Sequence, residues 1–155
     1  MMEKAEDKMM KLFFKMVLCV WLLTAAFISE SIADKKAYRS PQSVAGTESV
    51  SVADAKKLFD EGVVFVDVRN SRYFAKGHIP GAVHLDYKHN YDEDNLLSAV
   101  KKHQPLVIYC SGVKCSRSHH ASEKAVSWGF TEVKYFRGGI VDWRKAAYPT
   151  ESGGK

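Results

Sequence analysis

A chain of 155 residues, 46% hydrophobic and 26% charged, is long enough for one domain with its own core and excludes collagen, coiled coil and polytopic membrane protein. Three cysteines are too few to staple a fold, so hydrophobic burial must hold it together. The net charge of +5 comes from 23 basic and 18 acidic residues scattered along the chain, without the basic stripe that nucleic-acid binding requires, and no nucleic-acid partner is expected.

Residues 1–33 read as a signal peptide. Lys4, Lys8, Lys11 and Lys15 make a positive start, residues 16–28 are an apolar run of thirteen, and Ser31 and Ala33 place small side chains where a signal peptidase cuts. Thirteen residues fall short of the roughly 20 that span a bilayer, so cleavage near Ala33 without stable membrane association is expected. The acidic Glu3, Glu6 and Asp7 are unusual in such a start and leave translation from Met1 or from Met9 open; export follows from either. The expected destination is the periplasm or the exterior. Cleavage would remove Cys19 and leave Cys110 and Cys115 in a compartment where thiols oxidise.

Residues 34–48 are polar, contain Pro41 and Gly46, follow neither period, and read as a flexible tether. The domain proper spans residues 49–150, with 151–155 as a disordered tail. Val52, Ala55, Leu58 and Phe59 share one helical face, Ser51 can cap that helix and Gly62 can end it. Residues 63–69 form a strand too apolar for a one-sided sheet, hence buried and parallel. A short helix over 72–75 leads through Gly77-His78-Ile79-Pro80-Gly81, a turn shaped by His78 and Pro80, into a strand at 82–85. The spacing then predicts a helix over 94–103, a buried strand over 105–109, a helix over 116–128 stopped by Gly129, a strand at 133–136, and a last helix over 140–147 behind Gly138-Gly139. Such alternation makes one α/β domain with a central, mostly parallel sheet covered on both faces.

Chemistry concentrates after the strand at 105–109. In open α/β sheets, sites form beyond the carboxyl ends of the strands, and Cys110 stands there. It opens the loop Cys110-Ser111-Gly112-Val113-Lys114-Cys115, after which Ser116 and Arg117 start a helix. A loop curling into a helix points backbone N–H groups inward, and with the helix dipole these favour a thiolate. Such surroundings lower a cysteine pKa from about 8.5 into a range of roughly 3.5 to 7.5, and Lys114 and Arg117 add positive charge. Cys110 is therefore the expected nucleophile.

Val66-Asp67-Val68-Arg69, then Gly77-His78-Ile79-Pro80-Gly81-Ala82, then Tyr109-Cys110 with its loop, then Gly138-Gly139 and Trp143, resemble in order and spacing the single-domain rhodanese-like sulfurtransferases. The resemblance covers about residues 49–149. It implies an α/β domain with a central, mostly parallel five-stranded sheet flanked by helices. It also implies that Cys110 takes sulfane sulfur from a small anionic donor, thiosulfate or polysulfide, becomes a persulfide and passes the sulfur to a thiol or cyanide-type acceptor. No cofactor is implied. Asp67 and Arg69 would brace the loop. Ser111, Gly112, Val113, Lys114, Cys115, Ser116 and Arg117 would bind the substrate.

Loop length separates this chain from phosphatases of the same fold, whose signature needs five residues between Cys and Arg; here residue 116 is Ser and the arginine comes at Arg117. The commoner rhodanese loop has Arg where this one has Cys115, so Lys114 or Arg117 must attract the donor. The Cys-x4-Cys form resembles a smaller group of exported members, in which Cys115 could resolve a persulfide or join a disulfide. A thiol-disulfide redox or sulfur-carrier role for Cys110 and Cys115 is the alternative reading, weakened by the absence of thioredoxin-like spacing. Cys110, Cys115, His119 and His120 are residues of metal-ligand type, but adjacent histidines on a helix point about 100° apart, and no metal site is expected.

Overall fold

In the computed structural model, the described residues are Met10, Lys15 and 37–153. The signal-peptide reading of residues 1–33 thus falls outside the described residues, apart from Met10 and Lys15. The elements run β1 (Glu48–Ser49), α1 (Val52–Asp60), β2 (Val64–Asp67), α2 (Ser71–Ala75), β3 (Val83–His84), α3 (Glu93–Ala99), β4 (Leu106–Tyr109), α4 (Arg117–Ser127), β5 (Val133–Phe136) and α5 (Gly139–Lys145). The five strands lie in the order β1-β5-β4-β2-β3, and every pair is parallel. A parallel sheet needs both faces covered, which is why β4 reads as an unbroken apolar run and is buried at all four positions.

Alternation along β4 sorts its side chains. Leu106, Ile108 and Cys110 belong to the core shared with α3 and α4, through Leu96, Ala121 and Ala125. Val107 and Tyr109 point to the opposite core, with Ala55, Phe74, Ile140 and Trp143. The period of two therefore aims Cys110 under α4.

Local chemistry explains the helix ends. The Ser51 hydroxyl accepts from Asp54 N–H, Asn70 from Tyr73 N–H and Asp92 from Asn95 N–H, each starting a helix as a side-chain cap. The helix expected over 94–103 stops at Ala99. Val100 is extended (φ −155°, ψ 143°), because Gln104 before Pro105 is biased away from helix and the Lys102 carbonyl is needed by Thr131 N–H at 2.9 Å. The expected last helix over 140–147 is Gly139–Lys145, closed by Ala147 in the left-handed region at φ 57°.

Two expectations of disorder do not hold among the described residues. Within the expected tether, Ser40 and Val44 are buried, and Glu48–Ser49 is an edge strand in register with Lys134 and Tyr135. Its polarity serves hydrogen bonds. Arg137 Nε and Nη2 donate to Ser40 O at 3.0 and 2.9 Å, and Tyr135 Oη donates to Pro41 O at 3.3 Å. In the expected tail, Glu151 exchanges backbone hydrogen bonds with His78 at 2.8 and 3.0 Å, and its carboxylate accepts from Gly81 N–H at 2.8 Å. His78 lies flat on Phe74, 3.6 Å between ring centroids, with Nδ1 on Phe74 O and Nε2 on Glu151 Oε1, which makes it the pin of the turn.

Candidate active site

The loop from Cys110 to Ser116 joins β4 to the N-terminus of α4. Its shape is imposed from two sides. The first turn of α5 supplies Ile140 N–H to Cys110 O at 3.0 Å and Val141 N–H to Ser111 O at 3.1 Å. Ser40 supplies its N–H and Oγ to Val113 O at 2.8 and 3.2 Å. The carbonyl and the next N–H of a trans peptide point in opposite directions, so holding Cys110 O against α5 turns Ser111 N–H into the loop. Gly139 permits this approach: it sits at φ 56°, and a Cβ there would collide with Cys110 O.

Strand geometry sends Cys110 downward. The residue is 0% exposed; Ser118 Oγ donates to its Sγ at 3.3 Å, and its thiol faces Cys115 O at 3.7 Å. Burial first, then the neighbouring Cys115 sulfur, push the Cys110 thiol well above the ordinary range. The Gly112 backbone and the Ser118 hydroxyl act in the lowering direction, as the loop suggests, but burial outweighs them.

The Cys115 sulfur is shifted in the opposite direction. Its pKa is lowered to about 6, chiefly by the hydrogen bond from the Cys110 thiol, which outweighs burial; the backbone N–H groups of Arg117 and Ser111 and the Arg117 charge act in the same direction.

Outside Cys115 lies an open cleft of about 600 Å³. Of the residues expected to bind substrate, Ser111, Gly112, Val113, Lys114, Cys115, Ser116 and Arg117 all line it, whereas Cys110 lies beneath. Tyr73, Asp142 and Lys145 also line it and were missed by the sequence reading. Nothing local distinguishes Tyr73; the turn that follows α2 is tied to α5 by Arg144 Nη2, which donates to Gly77 O at 2.9 Å.

Asp67 and Arg69 do not touch the loop. Arg69 Nε bonds Asp67 Oδ1 at 2.9 Å and Nη2 bonds Asp67 Oδ2 at 2.5 Å and Gly77 O at 2.9 Å, all buried. Arg69 lies over the Tyr109 ring, 5.9 Å from its centroid, and Tyr109 Oη accepts from Ile79 N–H at 3.1 Å. The pair ties the Gly77–Ile79 turn to Tyr109, and only through Tyr109 does it act on Cys110.

Cys110, Cys115, His119 and His120 do not assemble as one ligand set. The ligand-type atoms that do approach one another among the described residues, within 4.8 Å, are those of His119, His120 and Glu123. Two of the ring nitrogens are engaged, His119 Nδ1 with Tyr38 Oη at 2.8 Å and His120 Nδ1 with Glu123 Oε2 at 3.1 Å.

A five-stranded parallel sheet with a cysteine at the carboxyl end of its central strand, under a loop that runs into a helix, defines a rhodanese-type α/β domain. The sequence matches the Rhodanese-like domain family over residues 51–146, and the chain belongs to that family. It is 37% identical over 98 residues to the thiosulfate sulfurtransferase GlpE of Pseudomonas savastanoi pv. phaseolicola, covering 63% of this chain and 87% of that protein. The BH2092 protein of Bacillus halodurans superposes with a TM-score of 0.61 at 27% identity, over 68% of this chain and 77% of that one. The polysulfide-sulfur transferase homodimer of Wolinella succinogenes, at 23% identity and a TM-score of 0.56 over 70% and 80% of the two chains, shares the fold.

Proposed function

We propose that this protein is a sulfurtransferase that takes sulfane sulfur from thiosulfate or polysulfide, holds it as a persulfide on Cys110, and passes it to a thiol or cyanide-type acceptor. The observation that carries the reading is the pair of free thiols at the head of α4, Cys110 beneath and Cys115 beside a cleft lined by Lys114, Arg117 and Lys145. A thiolate attacks the outer sulfur of the donor, whose sulfur–sulfur bond breaks with its electron pair leaving on sulfite or on a shortened polysulfide. The three cations attract the anionic donor and product. Protein thiols and amides perform every step, so the chemistry needs no cofactor. The GlpE relative is a thiosulfate sulfurtransferase by name, and the Wolinella fold relative is named for polysulfide, which supports these donor classes.

Wild-type protein is expected to form thiocyanate from cyanide with thiosulfate or polysulfide, and the Cys110→Ser/Cys115→Ser double variant to lose this activity at least about a hundredfold. A double variant retaining half the wild-type rate would remove the loop from the chemistry. We also propose, from the charge and apolar pattern of residues 1–33, that the domain is exported and works in the periplasm or outside the cell. Fractionation is expected to yield a soluble exported form beginning near Asp34; full-length chain in washed membranes would contradict this.

A further inference from the structure

Strand register aims Cys110 under α4, and the side chain that meets its sulfur there is a hydroxyl. Ser118, Ala121, Ser122 and Ala125 make the buried stripe of α4, at the spacing i, i+3, i+4 and i+7. Ser118 is the second residue of that helix, one position beyond the residues expected to bind substrate. It is buried, and its Oγ donates to Cys110 Sγ at 3.3 Å. Among the described residues it is the only hydroxyl that donates to that sulfur. The thiol itself faces carbonyls, Cys115 O at 3.7 Å and Gly112 O at 4.0 Å.

The carbonyls suit the thiol and oppose the thiolate, which has no proton to give them. The thiolate also has to form beside an apolar core that includes Ile108 and Ala121, where a charge is costly unless a donor reaches it. A hydrogen bond to an ionised acceptor is roughly twice as strong as one between neutral groups, so the Ser118 hydroxyl favours the thiolate over the thiol.

We propose that Ser118 is a catalytic residue whose hydroxyl donates to the Cys110 sulfur whenever that sulfur carries charge, an inference that rests on the sulfurtransferase reading above. The charge arises in both halves of the cycle. In loading, the Cys110 proton passes to solvent, the thiolate forms a bond to the outer sulfur of thiosulfate, and the donor's sulfur–sulfur bond breaks with its electron pair leaving on sulfite. In unloading, cyanide forms a bond to the outer sulfur of the persulfide, and Cys110 leaves with the electron pair of the broken bond as a thiolate. Ser118 keeps its own proton throughout.

The size of the effect follows from two opposing terms. A hydrogen bond to a charged group changes the thiolate population by about tenfold to a hundredfold. About half of that gain, on a logarithmic scale, is lost because a more stable thiolate is a weaker nucleophile. The same stabilisation makes Cys110 a better leaving group in unloading.

The test compares the wild type with Ser118→Ala, Ser118→Thr and Ser122→Ala, each first shown to be folded by urea unfolding. Loading from thiosulfate and unloading by cyanide are timed separately, by alkylation, cleavage at Lys114 and mass spectrometry of the peptide containing Cys110. Ser118→Ala is expected to slow each step about three- to tenfold. The thiosulfate concentration that half-saturates loading should stay within about twofold of wild type, because Ser118 does not line the cleft. Ser118→Thr keeps the hydroxyl and is expected to recover both rates to within about twofold. Ser122→Ala is the matched control: Ser122 is buried one turn further along the same stripe, its hydroxyl has no hydrogen-bond partner among the described residues, and its loss should leave both rates at the wild-type value. Wild-type rates in Ser118→Ala, equal slowing in Ser122→Ala, or a folded Ser118→Thr as slow as Ser118→Ala would overturn the role of Ser118 and leave the sulfurtransferase reading intact. If Ser118→Thr does not fold, the contrast between Ser118→Ala and Ser122→Ala decides. Absence of loading in the wild type would overturn both.

Discussion

Asp67→Ala is expected to lower the unfolding free energy by about 3 to 5 kcal/mol, as loss of one partner of a buried ion pair does. The substitution leaves the Arg69 guanidinium, 3% exposed, without the carboxylate that now takes three of its side-chain hydrogen bonds. Only Gly77 O would remain as a partner. A loss of that size is a large fraction of the roughly 5 to 15 kcal/mol that holds a domain together. Because the pair ties Tyr109 to the Gly77–Ile79 turn, sulfur transfer should fall with stability and recover when the variant is assayed well below its melting temperature. Urea unfolding of the variant and the wild type gives the number. A shift under about 1 kcal/mol would mean that water reaches Arg69 and that the pair is dispensable.

Gly139→Ala should damage the site more than its stability cost alone. The left-handed backbone at φ 56° costs an ordinary residue about 1 to 2 kcal/mol. The new Cβ would in addition strike Cys110 O and come within 3.0 Å of Gly112 N, both backbone atoms that cannot swing away. Relief requires moving the loop off α5, which breaks the hydrogen bonds from Ile140 and Val141 that turn Ser111 N–H inward. The expected result is a sulfur-transfer rate at least about tenfold below wild type under conditions where the variant is fully folded. Gly62→Ala is the matched control, since Gly62 is also left-handed, at φ 78°, but has no atom within 4 Å of the added Cβ. Equal activity in the two variants would show that the α5 contact does not shape the site.

The strands and helices were legible because their signals are local: apolar runs, the cap at Ser51, and glycines at turns. Cys110 and its loop were legible for the same reason, as a cysteine between a buried strand and a helix start. The orientation of that cysteine was not. The alternation Leu106, Ile108, Cys110 says that the three share a face, but only the packed sheet tells which face lies under α4. The direction of the loop amides was not legible either, because it depends on Cys110 O and Ser111 O being held by α5, nearly thirty residues away in sequence. The segment read as a tether failed similarly: Ser40 is bound to Val113 and Arg137, partners that no local period reveals.

The central claim is that the Cys110–Cys115 loop carries sulfur. Mass spectrometry of wild-type protein, incubated with thiosulfate or polysulfide, quenched by alkylation and cleaved at Lys114, tests it most directly. The account predicts the mass gain of one sulfur atom on the peptide containing Cys110, removed on addition of cyanide. An unchanged mass, or only the loss of two hydrogens that marks a Cys110–Cys115 disulfide, would contradict it.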